Sequence, residues 1–211
     1  MADLILGLNG AGKGTIAQRL EERCKTEHLC SGDLLRREHA RGTRFGIEAH
    51  AYWGNGQYVP DNLMIHYFKD RLRNAHNALF DGFPRTEDQA KAFESSGIRF
   101  NHVIYLEVPE GIAEQRCLTR RVCSDLDCSR IYGESPSIRT TTPNQCDRCL
   151  GTLYQREDDK SLTKIRKRMD EFRTKTAKLL PLYRRKELLF KINADQPAEA
   201  VYQDVLKALR T

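Results

Sequence analysis

Gly7-Leu8-Asn9-Gly10-Ala11-Gly12-Lys13-Gly14-Thr15 is the stretch on which the fold turns. The run Leu4-Ile5-Leu6 ahead of it predicts a buried strand, and Ile16, Ala17 and Leu20 behind it share one face of a helix. A strand, a glycine-rich turn and a helix form the unit that cradles phosphates. Gly10, Ala11 and Gly12 let the backbone curl so that successive N–H groups point inward, and the helix N-terminus adds partial positive charge. Lys13 is placed to reach outer phosphates, and the Thr15 hydroxyl to hold magnesium. Gly14 stands where Ser or Thr is usual in such loops.

The 211 residues suffice for one core with small inserted lobes. No apolar run reaches membrane-spanning length and the first strand begins at once, so neither a membrane partner nor a signal peptide is expected, and a cytoplasmic location is. The net charge of +6 suits polyanionic ligands without separating nucleotides from nucleic acid. Seven cysteines, only four of them grouped, argue against a disulfide framework.

Further along, Leu29-Cys30 predict a short strand ending in the turn and cap signal Ser31-Gly32-Asp33. Helices are expected over 34–40 and within 45–58, the second closed by Gly54-Asn55-Gly56, and the lone Trp53 reads as packing. Leu79-Phe80 end a buried strand with Asp81 at its carboxyl end, the edge where ligands of open α/β sheets gather. The sharp turn Gly82-Phe83-Pro84 aims Arg85 at the same edge. A central strand over 103–106 leads to a helix over 109–119, and Arg116 and Arg120, four apart, share a face. Like charges there repel unless an anion lies between them. Ile165, Met169, Phe172, Thr176, Leu179 and Tyr183 predict one helical stripe that Pro181 kinks or ends. A last strand over 188–192 precedes a loop in which Asp195 is placed to cap the closing helix.

Cys123 and Cys128 are followed by Cys146 and Cys149 across a turn-rich stretch poor in apolar residues. A lobe this polar cannot bury a core of its own and needs a staple. Two pairs of thiolates predict a structural zinc site with no open position, with unligated thiols or a disulfide as the alternatives.

Gly12-Lys13-Gly14-Thr15, Ser31-Gly32-Asp33-Leu34-Leu35-Arg36, Gly56-Gln57-Tyr58-Val59-Pro60-Asp61 and Phe80-Asp81-Gly82-Phe83-Pro84-Arg85-Thr86 with Gln89 occur in the order and at the spacing of adenylate kinases. The chain resembles that family essentially end to end. The resemblance implies an α/β, P-loop NTPase-type five-stranded parallel sheet flanked by helices. The core would comprise residues 1–30, 62–121 and 161–211, with a nucleoside-monophosphate lobe over 31–61 and a zinc-ribbon-like lid over 122–160. It implies reversible Mg-dependent transfer from ATP to AMP, giving two ADP, by a monomer.

By the same resemblance, Lys13, Arg85, Arg120, Arg156 and Arg168 are catalytic. ATP is held by Gly10, Ala11, Gly12, Lys13, Gly14, Thr15, Arg116, Arg120, Tyr132 and Gln196. AMP is held by Ser31, Arg36, Tyr58, Val59, Met64, Gly82, Arg85, Gln89, Arg156 and Arg168. Thr15, Asp33 and Asp81 serve the magnesium shell, and Cys123, Cys128, Cys146 and Cys149 the zinc. A cis bond is implied before Pro84, and Asp158 and Asp159 are expected to bond across the lid when it closes.

Three departures stand out. Asn9 replaces the family's usual Pro, four residues rather than two separate Cys123 from Cys128, and one extra residue between Asp159 and Arg168 leaves Arg166 as the alternative. A kinase acting on UMP or CMP, or taking GTP, would share most of these motifs, although Gln89 and the long lid speak for AMP. A basic zinc-ribbon protein that binds nucleic acid is the distant alternative. Scattered aromatics and Asp125, Asp127, Glu134 and Asp147 in the insert oppose it.

Overall fold

Alternation along β1 (Ala2–Gly7) sets up the layers. Leu4 and Leu6 enter one hydrophobic cluster, Ile5 enters another, and all three are buried. A strand apolar on both sides belongs at the centre of a sheet with helices on both faces. The computed structural model describes residues 2–72 and 77–210. After β1 come α1 (Lys13–Cys24), β2 (Glu27–Cys30), α2 (Ser31–Ala40), α3 (Arg44–Trp53), α4 (Asp61–Leu72) and β3 (Ala78–Asp81). Next are α5 (Glu87–Ser95), β4 (His102–Glu107) and α6 (Glu110–Thr119). The cysteine insert carries β5 (Arg121–Cys123), β6 (Ile131–Tyr132) and β7 (Leu153–Tyr154). The chain then returns through α7 (Leu162–Thr174), α8 (Leu179–Arg185), β8 (Leu189–Asn193) and α9 (Ala198–Ala208).

The main sheet has the order β2-β3-β1-β4-β8, and every pairing in it is parallel. All five carboxyl ends therefore lie along one edge, bringing Gly7, Cys30, Asp81, Glu107 and Asn193 together. One face is covered by Ile16, Ala17 and Leu20 of α1, Val201 and Val205 of α9, and Ile165, Met169 and Phe172 of α7. Leu35, Met64, Phe68, Phe93, Leu179 and Tyr183 cover the other. The insert folds as a separate antiparallel sheet of order β6-β5-β7, which its short strands had not betrayed in the sequence.

The predicted long helix is divided. Its stripe is buried throughout, but Phe172 packs on one face of the sheet and Leu179 on the other. The chain crosses between them through a 3-10 turn over Thr176–Lys178. Pro181 neither kinks nor ends a helix. It sits in the first turn of α8, where a missing N–H leaves nothing unpaired. Helix α3 stops at Trp53 with Gly54 of the closing signal as its C-cap, and Thr43 caps its start by accepting from the Gly46 N–H. Ser31, Gly32 and Asp33 already form the first turn of α2. Asp195 is not a cap: Pro197 precedes α9 with no side-chain bond to the helix end. The Phe83–Pro84 bond is cis.

Candidate active site

The loop after β1 is shaped by glycine where nothing else fits. Gly10 has φ +89°, and a Cβ there would stand 2.2 Å from the Ala113 carbonyl oxygen of α6. Gly12, at φ +96°, is the N-cap of α1, so the first N–H groups of that helix open onto the carboxyl edge of the sheet. A Cβ at Gly14 would stand 2.6 Å from Cδ1 of Ile131. The glycine in place of the usual hydroxyl residue thus gives the insert room to approach.

Lys13 donates to the carbonyls of Gly7 (2.8 Å) and Leu8 (2.9 Å), turned into its own loop rather than outward to the expected phosphates. Burial lowers its ammonium to about 8; Asp81 works against that shift, while Arg85 and Arg120 add to it.

A cavity of about 390 Å³ opens beside this loop, within the range of ligand pockets. It is lined by Gly10, Ala11, Gly12, Lys13, Gly14 and Thr15, and by six arginines from five parts of the chain: Arg36, Arg85, Arg116, Arg120, Arg156 and Arg168. Asp33, Asp81, Glu134 and Asp158 are the carboxylates in that lining, so cations exceed anions by seven to four. The expected Tyr58, Tyr132 and Gln196 line it too.

Several of these side chains are held by the protein itself. Arg36 and Arg156 both reach Asp33 Oδ1, and although burial opposes ionisation, the two guanidinium groups hold that carboxyl far below the usual range. Arg120 grips Asp159 through two bonds of 2.8 Å, and Arg168 bonds Asp158 and Asp159 at 2.6 Å each. Asp158 and Asp159 thus bond core arginines at the base of the insert, Asp159 reaching across its neck to Arg120. Arg116 donates to the Ala194 carbonyl, and burial lowers its guanidinium. Arg85 donates to the Gly82 carbonyl and lies over the Tyr58 ring, 4.6 Å from its centroid.

Arg156 is lowered to about 10, first by burial and then by the crowding charges of Arg36 and Arg120. The Nε groups of Arg156 and Arg168 are buried with no hydrogen-bond partner among the described residues. Donors left over in this way can take an acceptor entering the cavity, a water or a phosphate oxygen. The structure also separates Arg168, buried at the cavity, from Arg166, which is exposed and paired with Glu114.

The remaining expected residues lie beside the cavity rather than in its lining. Val59 and Met64 pack into the second cluster. The Ser31 hydroxyl bonds the Gly82 carbonyl at 2.7 Å. Gln89 is buried with both ends of its amide committed: Oε1 accepts from the Arg85 N–H and Nε2 donates to Asp61. An adenine edge would have to compete with those bonds. The Tyr132 hydroxyl accepts from the Asp147 N–H and meets Cys146 Sγ, so it is already engaged within the insert. Gln196 Nε2 is held by Asn193 and Asp204. Trp53 packs edge-on to His39 and His50, as expected, yet it also lines the cavity. Gln57 and Ile131, read only as parts of motifs, line it as well, and Ile112 and Ile138 went unnoticed in the sequence because isolated residues of common type carry no spacing signal.

Both cation sites expected from the sequence have suitable donors. Thr15, Asp33 and Asp81 share the cavity and supply only oxygen, the donor magnesium prefers. In the insert, the sulfurs of Cys123, Cys128, Cys146 and Cys149 all lie within 4.8 Å of one another, with Cys123–Cys149 at 3.3 Å and Cys128–Cys146 at 3.6 Å. Sulfurs around a tetrahedral zinc stand about 3.8 Å apart, so this set fits such an ion with little movement. Burial opposes ionisation of Cys146, but the Tyr132 hydroxyl and the N–H groups of Cys149 and Arg148 outweigh it and bring the thiol to about 6. Gly151 keeps the place clear, since a Cβ there would stand 3.1 Å from Cys123 Sγ.

Comparison with known proteins adds an independent line. The family model described as Adenylate kinase matches residues 5–188. A curated relative named Adenylate kinase from Desulforudis audaxviator is 38% identical, covering 98% of each chain. One of the same name from Methanocella arvoryzae is 36% identical over 100% of this chain and 99% of its own. Another, from Thermosipho africanus, is 37% identical over 98% of each. With a glycine loop, a cis-proline turn and a ring of arginines on one sheet edge, and a match spanning nearly every residue, this chain belongs to the adenylate kinase family.

Proposed function

We propose that the arginine-lined cavity is where the γ-phosphoryl group of ATP passes reversibly to AMP, giving two ADP. The observation that carries this reading is the excess of cations around one cavity, with two buried guanidinium Nε groups lacking partners. An acceptor phosphate is already anionic at neutral pH, so no protein nucleophile is needed. Catalysis then consists of in-line positioning and neutralisation of charge on the moving group.

The amides of residues 10–15 and Lys13 hold the donor phosphates, and Arg116, Arg120, Tyr132 and Gln196 complete that side. Arg36 and Arg85 take the acceptor phosphate, and Ser31, Tyr58, Val59, Met64, Gly82 and Gln89 surround its nucleoside. Arg156 and Arg168 lie where the two phosphate chains meet. Thr15, Asp33 and Asp81 would hold magnesium, which when bound neutralises phosphate oxygens. Residues 31–61 and 122–160 act as two covers that exclude water from the transfer.

The four cysteines would hold zinc as a structural staple, in keeping with the small cluster of Cys123, Tyr132, Cys146 and Leu153 that is the insert's only core among the described residues. No helix among the described residues is long and apolar enough to cross a membrane, and we read the protein as a cytoplasmic monomer. A coupled assay over AMP, UMP and CMP with ATP or GTP tests the reading, with the ATP and AMP pair expected to turn over best. Lys13→Met and Arg85→Ala should each lower the rate by at least about 100-fold with the fold retained. Near wild-type turnover in either purified variant overturns the site.

A further inference from the structure

Three side chains of different chemistry meet at the carboxyl end of β2. His28 and Cys30, two apart on one strand, project to the same side. Cys30 is the register partner of Asp81 on β3. One donor atom from each, an imidazole nitrogen, a thiol sulfur and a carboxylate oxygen, lies within 4.8 Å of the other two. His28 Nε2 and Asp81 Oδ2 are 3.3 Å apart. Their side chains are 9% and 8% exposed, and Cys30 and Asp81 line the cavity.

This is a donor set for a borderline or soft divalent ion. In a tetrahedral site with bonds of about 2.0–2.1 Å, nitrogen and oxygen ligands stand about 3.3 Å apart, the separation found here. A neutral imidazole, a thiolate and a carboxylate sum to two negative charges, so a divalent ion leaves the enclosed group neutral. Magnesium, which takes oxygen alone, gains nothing from His28 or Cys30.

We propose that His28, Cys30 and Asp81 bind a thiophilic divalent cation of the zinc class, at a site separate from the four cysteines of the insert, with the fourth position open to the cavity. On binding, the Cys30 S–H bond gives way to a sulfur–metal bond with its proton passing to solvent. The hydrogen between His28 Nε2 and Asp81 Oδ2 leaves the metal-facing nitrogen, for Nδ1 of a neutral ring or for solvent from a protonated one, with no change of oxidation state. An ion held here withdraws Asp81 from the magnesium shell and opposes phosphoryl transfer; that consequence alone rests on the function proposed above. The binding itself rests on ligand geometry, and its test needs no turnover.

Cobalt(II) is titrated into the full-length protein, the thiolate-to-cobalt charge-transfer absorption is recorded, and metal per chain is measured after gel filtration. Wild type should carry one equivalent more than Cys30→Ser, with the matching absorption difference. His28→Gln should hold that equivalent at least about tenfold more weakly, since even losses outside the ligand shell cost that much. Equal stoichiometry and equal spectra for wild type and Cys30→Ser overturn the site. Should Cys30→Ser lose its far-ultraviolet dichroism, His28→Gln decides, and wild-type affinity in that variant overturns the site as well.

Discussion

Asp159 is fully enclosed, with 0% of its surface exposed, yet it is ionised between Arg120 and Arg168. Burial raises a carboxyl, but the two guanidinium groups outweigh it and bring Asp159 down to about 2 from 3.8. The folded state therefore binds fewer protons than the unfolded state between those values. The stabilisation is complete above 3.8 and disappears as the pH falls through about 2. Its size is on the order of 2 kcal/mol. Urea unfolding of wild type and Asp159→Asn should show the widest free-energy gap above that window and a closing gap below it. A gap that stays constant with pH refutes the assignment. Arg168 shows what the sequence could not resolve at this scale. Spacing left Arg166 in contention, and only burial against the two carboxylates separates them. Gln89 shows the reverse: its position was legible, but its bonds to Asp61 and Arg85 depend on a loop that no local pattern describes.

Elements were legible where periodicity was long and hidden where it was short. The parallel sheet followed from apolar runs such as Leu4-Ile5-Leu6 and Val103-Ile104-Tyr105-Leu106, each bounded by turn signals. The break between α7 and α8 was invisible because the helical stripe continues in phase across it. What changes is the core each half enters, a property of the sheet rather than of the stripe. Strands of two or three residues, as in the insert, give too few alternations to read. That small sheet has almost no apolar interior, so with zinc on its four cysteines, as proposed above, its stability should follow the metal. Stripping zinc with a chelator should release amide protection across 121–154 while the five-stranded sheet stays protected, as read by hydrogen exchange. An insert that keeps its protection without metal contradicts the staple.

At the scale of the molecule, the insert touches the helices on the far side of the cavity. Arg37 Nε of α2 donates to the Leu126 carbonyl at 3.0 Å, His50 of α3 meets Glu157 at 3.4 Å, and Arg156 reaches Asp33. Leu126 lies within the longer first cysteine spacing, so the residues that depart from the family's pattern supply one of these contacts. Arg37 is outside the cavity lining. Arg37→Ala should remove about 1.5 kcal/mol and shift the balance toward separated covers by about tenfold. Fluorophores on unnatural residues at the exposed positions Ile47 and Leu150 would read that distance. An unchanged distance distribution would show the contact to be idle.

The Arg120–Asp159 pair joins positions 39 apart in sequence, one at each stalk of the insert. Closing a longer span costs little more than closing a shorter one. That pair ties the neck of the insert, while beyond it the insert also meets α1, through Gln18 with Ser129 and Ile131 and through Glu22 with Arg130, and α2, through Arg37 with Leu126. The length of the interval between Cys123 and Cys128 is therefore felt on α2 as well as inside the insert, through the carbonyl of Leu126.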